Sequence, residues 1–150
     1  MNKLLLVVAI FFSLTTFAQT DSTIYRSTEV DEKPQLESGM YTMSKFIRDN
    51  FQFPDLRNKN VTVFTSFIIE VDGSMREVKA FSAVAKDYLT EGKTAEVSDS
   101  DKQKDAAALE QMKVEAARVL LLFNGKWEPA KLAGKPVRCL YNYPITFRLE

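Results

Sequence analysis

"VRCLYNYPITFRL", residues 137–149, is the cleanest alternation in the chain, and its reading decides the fold. Val137, Cys139, Tyr141, Tyr143, Ile145, Phe147 and Leu149 fall on one side of an extended strand. Arg138, Leu140, Asn142, Pro144, Thr146 and Arg148 fall on the other. Such a strand lays one face on a core and turns the other to water. Pro144 adds a constraint, because a proline gives no N–H to a ladder and belongs on edge strands or at bulges. The last strand therefore reads as an edge.

The residues before it, "GKWEPAKLAGKPVRC" (125–139), read as the elbow that delivers the chain into that strand. Trp127 is expected to fold back as an apolar lid. Cys139, the single cysteine, lies on the apolar face, where a free thiol behaves as a small hydrophobe. Upstream, Leu109, Met112, Ala116, Val119, Leu120 and Phe123 recur at helical spacing, and Asn124-Gly125 supplies a stop. Ser100 and Gln103 have the spacing of a capping box for that helix.

Two further strands precede it. Val61 to Val71 puts Val61, Val63, Phe67, Ile69 and Val71 on one face, with Thr65 among them and Phe64 and Ile68 opposite, a central-strand pattern. Asp72-Gly73-Ser74 supplies turn chemistry, and Met75 to Ala83 returns as a partner strand. A first helix runs from Ser38, with Met40, Met43, Phe46, Ile47 and Asn50 at three- and four-residue steps, and Pro54 closes it. The expectation is an α+β fold: a three-stranded antiparallel sheet in order 2-1-3 with two helices packed on one face.

The flanking segments are polar. Gln19 to Glu37 reads as a flexible lead-in, and residues 84–104 as a surface insertion. "MNKLLLVVAIFFSLTTFAQT" has an early Lys3, an apolar run and small residues at Thr16 and Ala18, the pattern of a signal peptide over 1–18 cleaved between Ala18 and Gln19. Leu4 to Ala18 falls short of the roughly 20 residues a membrane span needs. The expected product is an exported, periplasmic soluble protein.

Composition excludes several function classes. Twenty basic residues balance twenty acidic ones, so no electrostatic footprint for nucleic acid is present. The chain has no histidine, no nucleophile elbow and no phosphate-cradling glycine run. Catalytic residues, cofactors and metals are therefore not expected. "SDSD" within residues 98–101 lacks the glycine and closing glutamate of a calcium loop.

With these residues placed, the chain resembles the C-terminal domain of TonB, the periplasmic energy transducer, from about Val30 to Leu149. "VDEKPQLESGM" is similar to the family's lead-in, with Ser38 where the first glycine of a pair is usual. "FIRDNFQFP" resembles the end of its first helix, and "FIIEVDGSMREVKA" its first hairpin. "WEPAKLAGKPV" followed by "YPITF" resembles its ending and is the most specific part. The resemblance assigns residues 38–150 to one TonB C-terminal-like domain.

It also implies a partner, a segment of an outer-membrane TonB-dependent transporter that adds as an extra strand; a second copy paired through the same edge belongs instead to a scaffold reading of the fold. The implied peptide-binding edge comprises Val137, Arg138, Cys139, Leu140, Tyr141, Asn142, Tyr143 and Arg148, with pairing strongest from Val137 to Tyr143. Full transducers of the family carry an uncleaved anchor and a long proline-rich spacer. A cleavable leader and a short lead-in imply a binding domain and not a whole energy transducer. From the residues alone, arginines and a proline on an edge serve equally to dress it against pairing. A stand-alone envelope scaffold or assembly protein on the same fold is the other reading.

Overall fold

The computed structural model describes residues 22–87 and 99–150. The cleavage residues Ala18 and Gln19, and residues 88–98 of the expected insertion, lie outside them. Nine elements follow in chain order among the described residues. The strands are β1 (Ile24–Arg26), β2 (Gln35–Leu36), β3 (Lys59–Ile69), β4 (Met75–Asp87), β5 (Trp127–Glu128), β6 (Ala130–Leu132) and β7 (Lys135–Leu149). Helix α1 (Met40–Asn50) lies between β2 and β3, and α2 (Asp99–Leu122) between β4 and β5.

Three long strands form the body of the sheet. β3 pairs antiparallel with β4 on one side and with β7 on the other, so the central position expected for β3 is observed. The expectation of a three-stranded, wholly antiparallel sheet is wrong. The sheet has five strands and is mixed: β1 runs parallel to β7, and β6 pairs antiparallel with its start. β2 and β5 form a second sheet of two strands. The added strands come from residues read as lead-in and elbow. At two or three residues each, they are too short for an alternation to register.

The core follows the strand pattern. Val61, Val63, Thr65, Phe67 and Ile69 of β3 are buried on one face. Met43 and Ile47 of α1 and Met112, Ala116, Val119 and Leu120 of α2 complete one cluster with them, together with Ile145 and Phe147 of β7. Val71, assigned to that face from sequence, lies past the end of β3 and is exposed. β4 continues to Asp87, four residues beyond its expected end at Ala83. Its pairing with β3 is irregular: Phe81 is an extra residue beside the Phe64–Ser82 and Thr65–Ala80 pairs. Glu77 and Val78 together face Phe67, and Glu77 takes a left-handed φ of 50°. These bulges bend β4 over α2.

Trp127 is buried, as expected of a lid, and its ring lies 5.6 Å from Phe67 and 5.1 Å from Tyr141. The lid is latched at both ends. Leu36 pairs with Trp127 across the small sheet, and the backbone N–H of Trp127 donates to the carbonyl of Gly73 in the β3–β4 turn. A second latch closes the opposite end. Lys59 Nζ reaches both Asp87 and Asp105 at 2.8 Å, joining β3, β4 and α2. Burial opposes the Lys59 ammonium, but its two carboxylate hydrogen bonds outweigh that and raise its pKa. Among the described residues no helix is long and apolar enough to cross a membrane.

Candidate functional site: the open half of the last strand

β7 is flanked on one side by β3 from Cys139 to Leu149, with no register shift. On the other side β1 covers Arg138 to Leu140, and β6 pairs with the start of the strand, Lys135 to Val137. Beyond Leu140 no strand of the described residues pairs with that side. The open edge is therefore Tyr141 to Leu149, roughly 27 Å of strand at about 3.3 Å per residue. The expected binding edge is corrected accordingly. Val137 is already paired with β6, and Arg138, Cys139 and Leu140 have their outer side taken by β1; Tyr141, Asn142, Tyr143 and Arg148 lie on the stretch that no second strand covers.

Pro144 tells which backbone groups are free. The β3–β7 ladder runs through the Phe64–Pro144 pair without interruption, so the missing donor belongs on the outer side. Thr62 and Thr146 agree with this phase: their hydroxyls meet at 3.1 Å, the close approach of a pair that does not exchange ladder bonds. By alternation Asn142 and Thr146 present both N–H and C=O outward, while Pro144 presents only its C=O.

Arg138 does not read a guest. Its Nε and Nη2 grip Glu70 at 2.7 and 2.9 Å, and Nη1 donates to the Ser22 carbonyl at 3.1 Å, just before β1. The paired guanidinium holds the Glu70 carboxyl below the usual carboxylate range despite its burial, and Glu70 raises the arginine in turn. β1 is thus fastened beside Arg138–Leu140, and the turn after it closes with Glu29 N–H on the Arg26 carbonyl at 2.9 Å. That turn ends the open edge upstream.

A groove of about 850 Å³ runs along the open half, between β7, the last turns of α1 and residues 53–57. Its wall is aromatic. The Phe51 ring packs tilted against Phe147 at 4.4 Å and lies 4.9 Å from Phe53, and Phe53 meets Phe147 edge-on at 5.1 Å. Phe51 and Phe147 are buried, but Phe53 is 46% exposed and turns its ring to the groove. Pro54 bars Phe53 from helical geometry, and buried Leu56 pins the loop beyond it.

Helix α2 fixes this wall in place. Glu115 accepts the Gln52 N–H at 2.8 Å, and Arg118 donates to the Asn50 carbonyl at 2.8 Å. The two side chains are themselves paired, which depresses the Glu115 pKa and raises that of Arg118. The exposed end of α1 is thereby capped by side chains from a distant helix.

Arg48, Arg57 and Arg148 line the same groove with Asp55 and Glu150. Arg57 lies 3.5 Å from Asp55 and Arg148 3.9 Å from Glu150, with all four side chains mostly in water. Pairs so exposed hold their partners by about 0–1 kcal/mol. Phe53, Arg48 and Arg57 are the residues that sequence reasoning missed. "FIRDNFQFP" contains the first two, but reads only as a helix and its stop. The described residues hold no cluster of three metal-ligating side chains.

The fold and the edge together define a class: an α+β domain with half of its last strand left open beside an aromatic groove. Comparison with known protein-family models, characterised proteins and solved structures finds no match for the chain.

Proposed function

We propose that the chain is an exported binding domain that captures an extended peptide segment as an added strand along Tyr141–Leu149. The observation that carries this reading is the half-covered edge. β1 and β6 pair with β7 only as far as Leu140, and the uncovered stretch borders a groove with room for side chains. Strand addition draws affinity from main-chain pairing and selectivity from such pockets. The resemblance to TonB C-terminal domains supports a periplasm-facing segment of an outer-membrane TonB-dependent transporter as the guest. The domain then serves transport by binding and is not itself the energy transducer.

The test is a titration of the isotope-labelled protein with peptides from those transporter segments, followed through backbone amides. The N–H groups of Asn142 and Thr146 should move most, while those of Val137 to Leu140 stay with their internal partners. Shifts confined to other surfaces would refute the reading.

One observation favours a scaffold that self-associates. The sheet face away from the helices carries Phe64 and Phe81, with rings 6.3 Å apart, and Val84, all exposed. Sedimentation separates the two. A scaffold sediments as a dimer whose assembly fails when Phe81 is replaced by Ser, and the transporter-binding domain sediments as a monomer.

A further inference from the structure

The groove has a chemistry that the edge alone does not specify. Main-chain pairing accepts almost any extended segment, so selection falls to the side chains that a guest would meet. A guest strand along Tyr141–Leu149 points alternate side chains toward the groove and toward the opposite face. On the groove side the first surface it meets is the Phe53 ring, backed edge-on by Phe147. Around that ring stand Arg48 and Arg57. Arg48 has no acidic partner among the described residues, and Arg57 has only the loose contact with Asp55. Both side chains of that contact are more than three-quarters exposed, so a better-placed carboxylate displaces it at little cost.

We infer that the groove selects an acidic, aromatic-bearing extended peptide: one with an aromatic or large apolar side chain against Phe53 and carboxylates on the same face for Arg48 and Arg57. The inference rests on the strand-addition reading and names the guest that reading leaves open. Guanidinium forks suit carboxylates in two-point contact. A carboxylate beside an exposed aromatic wall is also partly shielded from water, which strengthens the pairing beyond that of a surface pair. Same-face placement requires an even spacing between the aromatic and acidic residues of the guest, because odd spacing sends the acid to the other side of the strand.

Two capped peptides of eight residues test this. Both alternate Thr and Val and carry one central Phe; one has Asp two residues to either side of it, and the other has Lys there. Calorimetry gives their affinities at low and moderate salt, and amide shifts of Asn142 and Thr146 report whether each adds to β7. The Asp peptide should bind at least tenfold more tightly, from two attractive contacts turned repulsive in its counterpart. Its advantage should shrink with added salt. In Arg48→Glu/Arg57→Glu the preference should reverse, and Arg48→Gln/Arg57→Gln should abolish it if the charge-reversed protein does not fold. Equal affinities of the two peptides, with β7 amides moving for both, would overturn the acidic preference and leave strand addition standing. Amides that stay still with either peptide would overturn strand addition as well. Displacement of the Asp peptide by millimolar inorganic phosphate would show a simple anion site and overturn the peptide assignment.

Discussion

Replacing Gly73 by alanine tests how the β3–β4 turn is tied to the core. Gly73 sits at φ 79°, a left-handed conformation that costs a residue with a Cβ about 1 kcal/mol. More serious is what the new methyl group would meet. A Cβ built there lies 2.1 Å from the carbonyl oxygen of Trp127, and that oxygen belongs to backbone. Relief requires β5 to retreat by about 1 Å, since carbon and oxygen need roughly 3.2 Å or more. The retreat breaks the bond from the backbone N–H of Trp127 to the Gly73 carbonyl, worth about 1 kcal/mol. It also loosens an indole whose full removal costs about 3–5 kcal/mol, of which about a third is forfeited by such a shift. The sum is about 3–4 kcal/mol. Gly134 provides the control. It lies in the two-residue turn between β6 and β7 at φ 76°, with nothing within 4 Å of a Cβ. Gly134→Ala should therefore cost only the conformational ~1 kcal/mol. Urea unfolding followed through the single tryptophan measures both. Equal losses in the two variants would refute the claimed clash.

Three other outcomes are expected. Pro144→Thr supplies the open edge with the N–H it lacks, so the variant should self-pair in sedimentation or bind a guest strand more tightly; unchanged association would mean the outer side is not where Pro144 faces. The Glu70 pKa is depressed by Arg138, so its stabilisation is complete above the ordinary value near 4.5 and is lost as pH falls through the lower folded value. The stability gap between the native protein and Glu70→Gln should accordingly be constant near neutrality and close in acid, and urea midpoints at a series of pH values from 6 to 3 read this directly. Glu115→Ala leaves the Gln52 N–H without its charged acceptor, at a cost of about 1.5–3 kcal/mol, and releases Arg118. It should also weaken peptide binding through the Phe53 wall, which amide shifts of Phe51 to Leu56 would register; a silent loop would dissociate the two.

The elements long enough to repeat a pattern were legible. α1 and α2 each show a 3.6-residue stripe that ends up buried, at Met43 and Ile47 and at Met112, Ala116, Val119 and Leu120. β3 and β7, at eleven and fifteen residues, are long enough for their side-chain pattern to show. β1, β2, β5 and β6 exist because partners hold them. Gln35–Leu36 is a strand only where Trp127–Glu128 lies beside it, and nothing within two residues announces that. The same blindness misplaced the site. Pro144 makes β7 read as an edge strand, but β7 lies between β1 and β3. Arg138 to Leu140 are covered by residues more than a hundred positions away in sequence, and only the stretch from Tyr141 on has no second strand beside it among the described residues. Phe53 gave no periodic signal because it belongs to no repeating element; its role comes from where Glu115 and Arg118 hold the chain around it.

Arg138 looked like a reader of the guest and is instead a bolt. By clasping Glu70 with one edge and the Ser22 carbonyl with the other, it decides where β1 lies and so where the vacant rail begins. The domain consequently carries a ruler: an incoming strand is metered to about nine positions by a stop that it never touches. Substitutions at Glu70 would then alter the length of segment accepted while leaving every surface in contact with that segment unchanged.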